Sequence, residues 1–452
     1  MSKTDTQAGE PTVNDQRELL SWVFHLTNIN KINYKQMKIL VLAECLRINT
    51  TSAAICSSNV IASLLKAGHS IECIYDYHTS DTFPWLSGDI RFYPIKEISS
   101  EPSALKKRFP FVFQKFDLFH FLTTGYSYNN SQKILAWKKE IGKQLIENNF
   151  DFILVLGAGT SFLPHFAMSQ LKTNIKWIAN YHDPYPVHLY PDPYRSRSNK
   201  IVEKIQYRNS NRVMKKAFKV SFPSLRLMEW MIQFHPVLKG KSFVLPHPNG
   251  ELKNLPVLQE DNNINLPKDK FNILHAGTLL EPRNPKVLLN AYLKFIESDS
   301  ERKEKSTLHI VGYMSKHKYI TQLKEFGNNL NVINTRISYF CSKKILSQAD
   351  VLIILEADAK DSPFMPGKIV DYIVADKLIM ALTPSMSETT RLLKSNYPYI
   401  TENKDEENVL DILNQLWDKW KNGEALHLNR PDLLEYISAE NCNKILLKEF
   451  EK

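Results

Sequence analysis

The stretch Asp361-Ser362-Pro363-Phe364-Met365-Pro366-Gly367-Lys368-Ile369-Val370-Asp371-Tyr372-Ile373 stands between two apolar runs, Asp350-Val351-Leu352-Ile353-Ile354-Leu355 and Lys377-Leu378-Ile379-Met380-Ala381-Leu382. Runs of that kind read as strands buried on both faces, the mark of a parallel sheet covered by helices. The order is therefore strand, loop, helix, strand, with two prolines and a glycine at the helix entrance. Proline is tolerated in the first helical turn because its missing N–H has no partner there. The free amides of that turn, the positive end of the helix dipole and Lys368 together predict an anion site. Asp371, about one turn in, is placed to reach a neighbouring hydroxyl. These residues predict a loop that holds a phosphate on a sugar, and taken alone they fit an ordinary capped helix equally well.

The same alternation recurs on both sides. In the first half, Met37 to Ala43, Ile71 to Tyr75, Leu118 to Leu122, Asp151 to Leu156, Ile175 to Asn180 and Lys219 to Pro223 read as strands. Helical periodicity fits 52–66, 131–148, 161–171, 198–217 and 224–234. Leu245-Pro246-His247-Pro248-Asn249-Gly250 then breaks structure, and 251–269 is polar with two more prolines. In the second half, strands are expected at 271–275, 307–311, 330–334, 350–355 and 377–382. Helices are expected at 285–297, 316–327, 338–348, 367–375, 405–421 and 431–450. The expectation is an α/β chain with an N-terminal extension (1–36), a first Rossmann-like domain (37–250), a linker (251–270), a second such domain (271–425) and a closing helical segment (426–452).

Bulk properties agree with two domains. The 452 residues exceed what one core supports. A hydrophobic content of 43%, with 23 Phe, 19 Tyr and 7 Trp, supplies two cores and argues against disorder. No apolar run approaches the ~20 residues that span a bilayer. The cluster Leu19 to Leu26 is short and interrupted by His25, unlike a signal peptide. The five cysteines (Cys45, Cys56, Cys73, Cys341, Cys442) are scattered, with no pair at metal-ligand or redox spacing, which suits a reducing cytoplasm. The 13 histidines form no His-x-x-x-His pair, so no structural metal is expected. The net charge of +10 includes clusters at Lys106-Lys107-Arg108, Lys138-Lys139, Arg195 to Lys200 and Lys215-Lys216. No nucleic-acid reading module accompanies them, so nucleic acid is not expected as a partner. An anionic membrane surface is the better candidate, beside the plain alternative of a basic solvated surface.

The segment quoted first resembles the nucleotide-sugar loop of retaining GT-B glycosyltransferases, specifically the large bacterial GT4-like group (glycosyl transferases group 1). The matching residues are Pro366-Gly367-Lys368, Ile369-Val370-Asp371-Tyr372 and Asp376-Lys377-Leu378-Ile379-Met380-Ala381. The resemblance continues through His275-Ala276-Gly277-Thr278-Leu279, Arg283-Asn284-Pro285, Leu308-His309-Ile310-Val311-Gly312, Lys38-Ile39-Leu40-Val41-Leu42 and Lys66-Ala67-Gly68-His69-Ser70. It spans roughly 37 to 450, with the motifs in the family's order. The fold it implies is two doubly wound domains facing across a cleft, with ligands at the carboxyl ends of the strands.

The activity it implies is retaining transfer of a sugar from a nucleotide donor of UDP, GDP, TDP or ADP type, without metal or other cofactor. The acceptor would be a lipid-linked or cell-surface polysaccharide precursor, and the place the cytoplasm, on the inner face of the membrane. In such a transfer, negative charge grows on the leaving diphosphate, so cations and backbone donors are needed there. The resemblance assigns Arg283 to the diphosphate, with Lys286 as alternative, and Lys368 as the second cation. Gly277 and Thr278 end a strand where glycine allows close approach to the donor. Asp371 takes the place of the carboxylate that grips the ribose. Where many relatives carry another acid this chain has Phe364, so Asp361 or the backbone of Phe364, Met365, Pro366 and Gly367 is left to meet the sugar. Across the cleft, His182 and Asp183 follow a strand as a sugar-facing pair. Arg47 and Thr51 are the acceptor-side candidates, in a loop where relatives carry a glycine pair. Two alternatives share the architecture: an epimerase acting on UDP-N-acetylglucosamine, and a non-catalytic subunit that only binds a partner.

Overall fold

The apolar runs of the first half become parallel strands: β1 (Lys38–Ala43), β2 (Ser70–Asp76), β3 (Ile90–Ile95), β4 (Phe152–Leu156), β5 (Trp177–Asn180), β6 (Lys219–Phe222) and β7 (Ser242–Val244). Their order in the sheet is β3-β2-β1-β4-β5-β6-β7. The second half supplies β8 (Phe271–Ala276), β9 (Ser306–Val311), β10 (Leu330–Ile333), β11 (Val351–Leu355), β12 (Asp361–Ser362), β13 (Leu378–Leu382), β14 (Met386–Ser387) and β15 (Ile400–Thr401). Its main sheet runs β10-β9-β8-β11-β13-β15, and β12 pairs with β14 apart from it. The computed structural model describes residues 35–76, 82–95, 108–159, 161–196, 198–261, 264–314 and 326–452, of which 37–452 belong to one compact unit.

Alternate residues of each central strand feed opposite faces, as a pleated strand requires. In the first sheet, Leu40, Leu42 and Val155 pack with Trp137 and Ile141 of helix Tyr128–Glu147. Ile39, Val41 and Leu154 pack on the other side with Val60, Ile61 and Leu64 of helix Ser52–Lys66. In the second sheet, Ile273 and Ile353 meet Tyr292, Phe295 and Trp417, while Leu274 and Ile354 meet Ile345, Ile369 and Tyr372. Both sheets are thus covered on both faces, the doubly wound arrangement the sequence predicts.

Three expectations are corrected. Leu118–Leu122 is not a strand but the end of helix Pro110–Thr124, which Gly125 closes in the left-handed region by donating its N–H to Phe121 O. Five apolar residues do not separate the two conformations, and the decisive signals were Pro110 and Gly125 at the ends. The edge strand of the sheet is instead Ile90–Ile95, which the sequence reading overlooked because Arg91 and Pro94 interrupt it. Proline is admissible on such an edge. The closing helix 431–450 is two helices, Pro431–Tyr436 and Ala439–Glu451. Ser438 starts the second by accepting from Asn441 N at 3.0 Å. The helix expected at 316–327 lies outside the described residues except for its last two positions, and so does nearly all of the extension 1–36.

The chain passes between the halves twice, side by side. Asn249 N donates to Ile437 O at 2.7 Å, and Asn249 and Ser438 form a parallel bridge. Beyond it, helix Ala439–Glu451 lies on the first half: Asn443 Nδ2 donates to Ser63 O at 2.7 Å, and Phe450 packs on Phe152 at 4.8 Å between ring centroids.

Candidate functional site

In each sheet the strand order reverses once, between β1 and β4 and between β8 and β11, and ligands of such folds bind beyond the carboxyl ends there. In the second half those ends bring together Gly277, Glu356 and the start of helix Lys368–Ala375. Gly277 has φ 137°, and Gly312, ending β9, is so close that a Cβ on it would stand 2.5 Å from Gly277 O. The bare backbone of Gly277 leaves room for Lys368, whose Nζ would be 2.9 Å from a Cβ at 277.

Lys368 Nζ donates to His275 Nε2 at 3.2 Å, and His275 Nδ1–H donates to Ile353 O at 3.2 Å, which sets the tautomer. Burial holds His275 well below the usual imidazole value, with the charge of Lys368 acting the same way. Burial also pushes the Lys368 ammonium well below the usual lysine value; Arg283 adds to that and Glu356 opposes it. Arg283 Nε donates to Tyr194 Oη at 3.2 Å, and its guanidinium carbon lies 5.9 Å from that ring's centroid. Tyr194 belongs to the first half and also accepts from Ala357 N at 3.3 Å. Among the described residues, neither Arg283 nor Lys368 has a carboxylate within ion-pair distance. An arginine and a lysine held by neutral groups beside a helix entrance are an arrangement that can take an anion with several oxygens.

The loop 361–367 is fixed from below and across. Buried Glu356 accepts from Ser362 Oγ, from Thr383 Oγ1 at 2.8 Å and from Thr389 Oγ1 at 2.5 Å. Ser224 Oγ of the first half donates to Pro363 O at 2.6 Å. Phe364 is buried against Tyr190 and Tyr194, at 5.7 and 5.2 Å between ring centroids. Met365 is in the core with Ile369, and Pro366 O accepts from Ile369 N at 2.9 Å. Asp361 pairs with Met386 in the β12–β14 ladder. Asp371 accepts from Tyr339 Oη at 2.6 Å; burial raises its pKa while that bond lowers it. Thr278 follows Gly277, half-buried at the same edge.

On the first half, His182 and Asp183 follow β5. Burial pushes Asp183 up to about 6, and Arg283 across the cleft pulls it back. His182 is buried, stacks on His247 at 5.2 Å and is pushed down to about 4 by burial. Arg47 gives its carbonyl to Thr50 N at 3.0 Å and Thr50 Oγ1 at 2.6 Å. Thr51 is exposed and caps helix Ser52–Lys66, accepting from Ala54 N at 3.1 Å. The structure therefore gathers Gly277, Arg283, Lys368 and Asp183 around one space, while Arg47 and Thr51 shape the loop at its rim.

Several residues of this region were not singled out by sequence. Glu44 ends β1, accepts from Ser161 Oγ, and is pushed up to about 7 by burial against that bond. A lone acid at a strand end was the signal. His275 sat inside a quoted motif with no role assigned, and Glu356 follows directly on the run 350–355. Tyr194 and Tyr339 carry no local signal.

No family model matches the chain, and comparison with curated protein sequences finds no match. Solved structures do match in fold. A glycosyltransferase from Rickettsia africae ESF-5 is 15% identical, with 92% of this chain and 98% of that chain covered at a TM-score of 0.59. Anabaena HepE, solved in complex with UDP and glucose, is 12% identical, with 92% and 100% covered at 0.55. A UDP-forming α,α-trehalose-phosphate synthase from Burkholderia xenovorans, in complex with glucose-6-phosphate, is 9% identical, with 92% and 100% covered at 0.55. At these identities the likeness is one of fold: two doubly wound domains in the GT-B arrangement.

Proposed function

We propose that this protein is a retaining glycosyltransferase that takes a sugar from a nucleotide-sugar donor. The observation that carries the reading is the Arg283–Lys368 pair, two basic side chains without a carboxylate partner among the described residues, at the carboxyl edge of the second sheet and facing Asp183. Arg283 takes two oxygens of the diphosphate, and Lys368 with the first amides of its helix takes the rest. Charge arriving on the leaving diphosphate then meets donors already in place. Asp371, steadied by Tyr339, takes the ribose, and Asp183 faces the sugar. No carboxylate base is required, because the departing phosphate accepts the acceptor's proton. Arg283 and Lys368 supply the positive charge a metal would otherwise bring to the diphosphate.

The acceptor we propose is a lipid-linked glycan precursor at an anionic membrane surface. Among the described residues no helix is long and apolar enough to cross a membrane. Helix Pro110–Thr124 nevertheless buries only Phe113 fully and leaves Phe111 67% and Phe119 66% exposed, with Phe109, Val112, Phe116 and Leu118 also outward. It is held by its other side: Asp117 Oδ1 accepts from Tyr128 N at 2.6 Å, and His120 bonds Ser131 Oγ at 2.8 Å. An exposed aromatic face that carries Arg108 and Lys115, and that Lys106-Lys107 precede in sequence, suits the interface of an anionic bilayer.

A second reading, a binding subunit without transferase activity, is favoured by Phe364 filling the place of an acid. One experiment separates them. UDP, tested first, and GDP, TDP and ADP are screened by thermal shift, then donor hydrolysis is measured. A nucleotide at 100 times its Kd stabilises by ~2.7 kcal/mol, and Arg283→Ala removes the shift. No response to any nucleotide sinks the transferase reading, while binding without turnover selects the subunit.

A further inference from the structure

Three segments remote in sequence meet on the first-half wall of the cleft: Cys56 on helix Ser52–Lys66, His182 after β5 and His247 in the crossing after β7. Their Sγ and ring nitrogen atoms offer a set lying within 4.8 Å of one another. The residues are 7, 9 and 7% exposed. Neither ring nitrogen of His182 has a hydrogen-bond partner among the described residues. A neutral imidazole carries one donor and one acceptor, and a buried one leaving both unmade calls for a ligand. The carboxylates of Asp183 and Asp371 place negative charge around Cys56, which favours a cation there. Gly367 stands opposite, and an added Cβ there would already touch Cys56 Sγ at 3.7 Å, so only the bare backbone of a glycine leaves the sulfur uncovered on that side.

We propose that Cys56, His182 and His247 bind one divalent ion of the zinc class, through a thiolate and two neutral imidazoles. One sulfur and two imidazole nitrogens suit Zn²⁺ in preference to Mg²⁺ or Ca²⁺, and three protein ligands leave a fourth position for water or a group in the cleft. As the metal–sulfur bond forms, the thiol S–H breaks and its proton passes to solvent. The ion joins helix 52–66, the β5 loop and the crossing segment at one point, and gives His182 a partner other than a sugar hydroxyl. This inference does not depend on the transferase reading.

The full-length protein, freed of metal with a chelator, is titrated with Co²⁺ and then with Zn²⁺. One equivalent of Co²⁺ should give a thiolate-to-cobalt charge-transfer band in the near ultraviolet, displaced by one equivalent of Zn²⁺. Cys56→Ser should abolish the band with the fold retained by circular dichroism, and His247→Gln should weaken binding at least tenfold. X-ray absorption of the wild-type zinc form, which needs no variant, should show one sulfur and two imidazole nitrogens. Absence of the band, its survival in Cys56→Ser, or a zinc shell without sulfur would overturn the proposal.

Discussion

Lys368 reaches its place by leaning on His275: the ammonium donates to an imidazole whose other nitrogen is tied to the Ile353 carbonyl. The histidine acts as a neutral prop, so it positions the cation without cancelling its charge. His275→Ala should therefore lower nucleotide affinity about tenfold. Lys368→Met should lower it about 100-fold, since a charge-assisted bond is worth roughly 1.5–3 kcal/mol. Isothermal titration of both variants checks the order; equal affinity in Lys368→Met and wild type would remove Lys368 from the site.

Binding should also take up a proton. Burial holds Lys368 below its usual pKa, and a diphosphate beside it should raise that pKa, so a proton is taken up wherever the pH lies between the free and bound values. Affinity should thus fall as pH rises, and titration in buffers of different ionisation enthalpy should report net uptake. Proton release would contradict this.

Glu44 gives a stability signature. Its folded pKa, about 7, lies above the unfolded carboxylate value, so the fold prefers the neutral acid. Stability is then lost as pH climbs from the unfolded to the folded value, by up to on the order of 3 kcal/mol. Glu44→Gln should be more stable than wild type at pH 8 and equal to it near pH 4. Denaturant melts at the two values test it, and a pH-independent difference would rule the explanation out.

Removing the Glu356 carboxylate strands Ser362 and Thr389, while Thr383 Oγ1 keeps Ser387 Oγ at 2.8 Å. Glu356→Ala should cost about 3 kcal/mol or more of stability, since each buried hydroxyl left unpaired costs roughly 1–3 kcal/mol. Thermal unfolding measures this; Glu356→Gln should recover part of the loss.

On the membrane side, Phe111→Asp with Phe119→Asp should cut sedimentation with phosphatidylserine vesicles by at least tenfold while leaving nucleotide binding unchanged. Wild-type protein that stays in the supernatant at low salt would refute the surface role of helix Pro110–Thr124.

The central strands and most helices were legible because burial on both faces writes uninterrupted apolar runs, and prolines and glycines mark the ends. Ile90–Ile95 was not, since an edge strand needs neither continuity nor apolar purity. That Arg283, Lys368 and Gly277 lie at strand and helix ends of the second half could be read from local pattern. Tyr194, Tyr339 and the Cys56–His182–His247 group could not, because their meaning lies in contacts between residues far apart along the chain. Asp371 could be located but not its bond to Tyr339, and Phe364 read as a lost acid turns out to be an aromatic wedge between the halves.

The two strands of chain that pass between the halves lie against each other at Asn249 and Ser438. The covalent crossings lie on that one short line, while the other contacts between the halves, Ser224 with Pro363 and Tyr339 with Asn49 among them, are non-covalent, so any turning of one half on the other would centre there. Opening would carry Phe364 off Tyr190 and Tyr194, and would part Arg283 from the tyrosine that aims it. An anion bound at Arg283 would therefore favour the arrangement in which Tyr194 holds that side chain, and a turned molecule would leave it unaimed.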